Sequence, residues 1–346
     1  MNQLPFSSNI NISALSSVFN NTSATYKFYW FLAIIEEIEK GKKEIEKKRL
    51  FSRMVANAWY PINYFKVSFG SQDNISEIIK YLVNNTELAI NEDKIKIYKY
   101  LINSKNFKLS KTLFHLDKNV PHWFLSPWFR GYKKSMIYSQ SNENDYYTIY
   151  KLHKNLISVN ENWFSYISAN AKILKEYTYW NLANFLQKKN PLTPDIVSKL
   201  IKPAKRNALT YQRNNFWNIY LDESKEVKCI FTGEKLSKSN YELDHFVPYS
   251  FVSHDLIWNL VPVKSGFNSS KNNKLPIIEK HFDSFFKVQK DALNLLDNRL
   301  KKRFKEEYIT IFNSFKAPQD FNYQKLKDTI EPLISVANNN GFEFLE

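Results

Sequence analysis

Apolar residues recur at helical spacing through much of the first 190 positions. Tyr26, Trp30, Ala33 and Ile34 predict a helix over about 24–38, with Ser23 as its cap. A second fits 44–59 and should stop at Pro61, because proline removes a helical donor. Amphipathic stretches at about 75–83 and 93–101 predict two more. The aromatic group Trp123, Phe124, Trp128 and Phe129 surrounds Pro121 and Pro127, which predicts irregular packed structure. The runs 146–150 and 156–159 are rich in β-formers and predict a hairpin. Asn160 then opens a long helix to about Lys189.

Asn190-Pro-Leu-Thr-Pro194 interrupts every periodicity and is the clearest boundary in the chain. Thr193 and Pro194 start a new helix toward Pro203, and another covers about 204–220. Strands are expected at 227–231, 241–243 and 258–263, with a turn at Thr232-Gly233-Glu234 and a short helix over about 265–272. A charged amphipathic helical stretch covers about 286–312. The expected fold class is α+β and mostly helical. It comprises a helix-rich domain over 1–190, a small mixed domain over 191–285 and a helical extension over 286–346.

Composition narrows the possible partners. The net charge of +15 favours a polyanion, and nucleic acid is the simplest. Residues 1–190 hold 26 basic against 15 acidic side chains, so the excess lies mostly in the helix-rich half. That half is expected to grip a substrate or a protein partner. A single cysteine, Cys229, excludes an internal disulfide and a zinc site of several thiolates. The six glycines are too scattered for a phosphate-cradling loop, which argues against ATP or nicotinamide chemistry. The longest apolar run, 28–35, is too short to span a bilayer. A cytoplasmic protein without membrane contact is the expectation.

The candidate chemistry lies in Asp244-His-Phe-Val-Pro-Tyr-Ser-Phe251, Asn259 and Gly266-Phe-Asn268-Ser-Ser-Lys271-Asn-Asn-Lys274. A carboxylate beside an imidazole puts a metal ligand and a proton acceptor at one point of the chain. Neutral imidazole is the side chain best matched as a base near pH 7. Carboxylate and carboxamide oxygens suit a hard divalent cation.

These residues resemble the HNH nucleases of the ββα-metal type, and are similar to the HNH domain of the RNA-guided CRISPR nucleases. The resemblance covers about 60 residues and does not extend to the N-terminal half. It implies a metal-dependent endonuclease acting on DNA, with His245 as general base. It makes Asp244 and Asn268 ligands of one Mg²⁺ or Mn²⁺, and has Asn259 hold the loop that aims the histidine. Lys271 and Lys274 are expected at nucleic-acid phosphate, and a role in bacterial defence against foreign DNA is implied. Many relatives carry paired cysteines that bind a structural zinc. Here Thr232 stands where the partner of Cys229 would be, so no structural zinc is expected.

Two other readings stay open. A non-cleaving nucleic-acid-binding or scaffold subunit would keep the fold without the chemistry, and an RNase would use the same site on RNA. His254 and His281 read as surface and structural residues, and Trp30, Trp59, Trp123 and Trp128 as core residues rather than base-stacking platforms.

Overall fold

The computed structural model describes residues 4–143, 148–201 and 208–346. It is an α+β protein, 59% helical, with small sheets. The chain divides into two compact units, Met1–Pro191 with Ile196–Lys202, and Leu192–Asp195 with Pro203–Glu346.

The first unit is built around α1 (Tyr26–Ile38), which is apolar on nearly every face and buries ten of its thirteen residues. Helices α2 (Lys47–Asn63), α3 (Asn74–Asn85), α4 (Lys94–Asn103) and the long α5 (Glu161–Lys189) accompany it, with shorter helices between 107 and 143. Asp73 caps α3 at the Ile75 amide and also accepts from the amide and hydroxyl of Thr25, 2.7 and 2.6 Å away. One buried carboxylate thereby fixes the starts of two helices. Glu37, fully buried on α1, pairs with the Arg53 guanidinium, and Glu36 pairs with Arg53 and Lys94. Trp30 and Trp59 are wholly buried and Trp128 nearly so, whereas Trp123 is 45% exposed.

Two departures from the predicted elements have physical causes. Residues 44–46, expected at the head of a helix, form strand β1 (Glu44–Glu46) on a hairpin of β2 (Tyr150–Leu152) and β3 (Leu156–Val159). Ile45 pairs with Ile157 and is buried, while Glu44 and Glu46 point outward, a period of two that the surrounding helical residues hide. The helix that follows runs through Pro61 to Asn63, because proline near a helix end costs only one late bond. Residues 146 and 147 of the predicted first strand lie outside the described residues, as do 204–207 of the predicted helix at 204–220.

His122 is buried in this unit, with Nδ1 lacking a hydrogen-bond partner among the described residues. Burial pushes its pKa down to about 4. Between pH 6.5 and 4 the unfolded chain therefore binds a proton that the folded one refuses, and stability falls as pH falls through that window. The expected loss is about 2 kcal/mol. Unfolding titrations at pH 7 and 4.5 check it, and His122→Phe should flatten the dependence.

Of the helix predicted from Pro194 toward Pro203, residues 202 and 203 lie outside the described residues, and the described part holds a single 3-10 turn, Val197–Lys199, which belongs to the first unit. In the second unit, helix α6 (Asn218–Glu223) leads into the two-stranded β4 (Val227–Lys228) and β5 (Lys235–Leu236). A second pair joins β6 (Tyr241–His245) to β7 (Leu260–Lys264) in antiparallel register, Asp244 opposite Val261 and His245 opposite Leu260. Helix α7 (Phe267–Lys271) follows, then α8 (Ile278–Leu296), α9 (Lys302–Phe312) and α10 (Tyr323–Asn339). The boundary drawn at 285/286 on sequence pattern falls inside α8. Phe282, Phe285, Ala292, Leu293 and Leu296 form one buried stripe of that helix, and the core continues from Phe216 to Phe342. Among the described residues no helix is long and apolar enough to cross a membrane.

Candidate active site

Strand β6 ends on Asp244 and His245, which alternate across the ribbon and leave the sheet at its end. Asn259 faces this exit and is completely buried. Its side-chain oxygen accepts from the Val247 amide at 2.9 Å and its nitrogen donates to the Val247 carbonyl at 2.8 Å. Its own carbonyl accepts from the Phe246 amide at 2.7 Å. Three bonds thus clamp the two residues that follow the histidine.

Only 4% of the His245 side chain is exposed, and its Nε2 lies 2.9 Å from Asp255 Oδ1. The ring meets Tyr249 edge-on, with centroids 5.5 Å apart. With Nε2 held by a carboxylate as donor, the basic lone pair of a neutral imidazole resides on Nδ1. Asp255 received no role from the sequence. An Asp ten residues beyond a candidate base is a weak signal by itself; the loop between them brings the two together. His254 stacks obliquely on Trp258, 5.0 Å between centroids.

Asp244 is 5% exposed. Its Oδ1 accepts from the His245 amide at 2.8 Å. Its Oδ2 is buried 2.8 Å from Lys271 Nζ yet accepts no directed hydrogen bond among the described residues. Lys271 was expected at a phosphate; its side chain is wholly buried, and Nζ also donates to the His245 carbonyl at 2.8 Å. Lys274, the other lysine expected there, is half-buried.

Gly266 enters α7 at φ 85°, a left-handed conformation that a side chain would strain, and this sharp entry lets the helix turn back toward β6. Asn268 stands one helical turn before Lys271, so the two share a face. Lys271 reaches Asp244, and Asn268 is half-buried. Asp244 Oδ2, which accepts no directed hydrogen bond but lies against the Lys271 ammonium, and the Asn268 carboxamide are of the donor types a hard divalent ion takes. Among the described residues no three His, Cys, Asp or Glu side chains group as a metal site.

The turn carrying Asn259 is braced from outside the motif. Gln289 on α8, fully buried, donates to the carbonyls of Ile257 and Leu260 at 3.0 and 2.7 Å, and accepts from Tyr308 at 2.6 Å. Glu307 on α9 accepts from the Ile257 amide at 2.7 Å, and burial holds its carboxyl above the usual range. Trp258 Nε1 donates to Thr310. At the other end, the loop from Cys229 to Glu234 is closed by backbone bonds of 2.8 and 2.9 Å, and Phe231 stacks on Phe267. Gln289 was legible in principle: it is the polar interruption in an otherwise apolar stripe.

Residues 229–277 match the HNH endonuclease family. Over 85 residues the chain is 32% identical to a CRISPR-associated endonuclease Cas9 from Listeria innocua serovar 6a. That alignment takes in 24% of this chain and 6% of the relative, so the chain spans only a small part of the length of the protein it matches. The N-terminal half is not recognised in either comparison. No solved structure matches the chain.

Proposed function

We propose that the chain is a metal-dependent HNH endonuclease that hydrolyses phosphodiester bonds in DNA. The observation that carries this reading is the convergence on one strand end of Asp244, the Asp255-held His245 and the Asn259 clamp, within a segment that matches the HNH family. A bound Mg²⁺ or Mn²⁺ would neutralise charge at the scissile phosphate and stabilise the leaving 3′ oxygen.

Asp244 and Asn268 are the residues that would hold the ion. His245 accepts the proton of the attacking water, and Asp255 fixes the tautomer and steadies the imidazolium that forms. Asn259 is a positioning residue: it fixes the backbone after His245 and so the direction of the ring. The net charge of +15, concentrated in the first 190 residues, supports the helix-rich unit as the part that grips DNA or a protein partner. Defence against foreign DNA is the biological role this reading favours, consistent with the likeness to a CRISPR-associated endonuclease.

The test is incubation of the purified chain with supercoiled plasmid and Mg²⁺ or Mn²⁺. One site cuts one strand per engagement, so nicked circles should appear before linear DNA, and Asp244→Ala should give neither. Binding without nicking under any metal would support the non-cleaving alternative. Cleavage of RNA with plasmid untouched would redirect the reading to an RNase.

A further inference from the structure

The reading above leaves the buried charge of Lys271 without a task. Its ammonium lies 2.8 Å from Asp244 Oδ2 and 2.8 Å from the His245 carbonyl oxygen, and over the Phe231 ring at 5.8 Å. Its side chain is completely buried. The other oxygen of Asp244 is occupied by the His245 amide. Both oxygens of the carboxylate assigned to the ion are therefore engaged, one of them by a cation of the chain itself.

A divalent ion and an ammonium on one buried oxygen repel each other strongly where water cannot screen them. A buried carboxylate left with neither is worse off still, because an uncompensated buried charge is costly. A lysine placed to meet substrate would reach outward, whereas this one ends on the ligand carboxylate and on the carbonyl of the base. Its helix also carries Asn268 one turn earlier, so one short element brings up both a proposed ligand and the competing charge.

We propose that Lys271 is an internal counter-ion for the metal site. It holds the Asp244 carboxylate in position while no metal is bound, and releases it when the ion enters. The strength of the Lys271–Asp244 pair then sets the affinity for the ion. This rests on the metal-dependent reading of the site.

The test is calorimetric titration of the full chain with Mn²⁺. Lys271→Met should bind about tenfold more tightly or better, since no buried pair has to be broken. Without metal, the same variant should melt at a lower temperature than the unaltered chain, and Mn²⁺ should raise its melting temperature by more. Should Lys271→Met and Lys271→Gln both fail to fold, nitrogen NMR of the Lys271 ammonium in the unaltered chain is the independent measurement. The signal should move when Mg²⁺ is added, and a signal unmoved at saturating Mg²⁺ would overturn the proposal. Equal or weaker Mn²⁺ binding by the variant, with plasmid cleavage by the unaltered chain intact, would overturn this proposal alone. Absence of binding in both proteins would remove it together with the metal-dependent reading.

Discussion

His245→Ala is expected to slow metal-dependent plasmid nicking by about 10²–10⁴-fold while leaving DNA binding intact. The span reflects what a positioned general base contributes to proton transfer, and alanine has nothing to put in its place. The fold should survive. The ring's described contacts are to Asp255 and Tyr249, whereas the strand pairing and the Asn259 clamp use backbone and a different side chain. Asp255→Asn separates support from chemistry, because the amide can still meet Nε2 but carries no charge to steady an imidazolium. A smaller loss, on the order of tenfold, is expected there. Initial nicking rates for the two variants, with circular dichroism to confirm folding, decide the matter. Equal activity of His245→Ala and the unaltered chain would exclude His245 as the base.

Gln289→Leu should lower the stability of the C-terminal unit by about 2–4 kcal/mol. The substitution removes every polar atom of the side chain and shortens it by one bond, so the loss reports hydrogen bonding together with some repacking. It strips the Ile257 and Leu260 carbonyls of a donor and leaves the Tyr308 hydroxyl without its acceptor, in a place closed to water. Denaturant unfolding followed by tryptophan fluorescence measures it. Because Ile257 and Leu260 flank Asn259, nicking should also decline at temperatures where the variant is still folded. A stability change below about 0.5 kcal/mol would mean the network carries little weight.

The candidate site was legible because its parts are local. Asp244, His245, Asn259 and Asn268 fall within 25 residues, on a strand pair and a short helix whose spacing follows from backbone geometry. The strand–loop–strand–helix order was likewise readable from turn residues and alternation. Contacts made by loop closure or by distant chain were not. Asp255 reaches His245 only because the loop folds back, and Gln289, Glu307 and Thr310 reach the turn from 32 to 52 residues further on. Strand β1 was hidden for the same reason, since its partner β3 lies more than 100 residues away. Lys271 shows a different blindness: a lysine beside a motif looks solvated, and nothing in the linear pattern says that its stem points inward.

The bracing of the Asn259 turn by α8 and α9 bears on what an HNH-like segment needs when it is moved between proteins. The family match ends at Ile277, yet the amide and carbonyls that shape its central bend find partners at Gln289 and Glu307. Excised at the family limits, the piece would expose those groups to water and lose its grip on the bend. A graft into a new host must bring these two helices along, or land where the host offers equivalent amide and carboxylate groups.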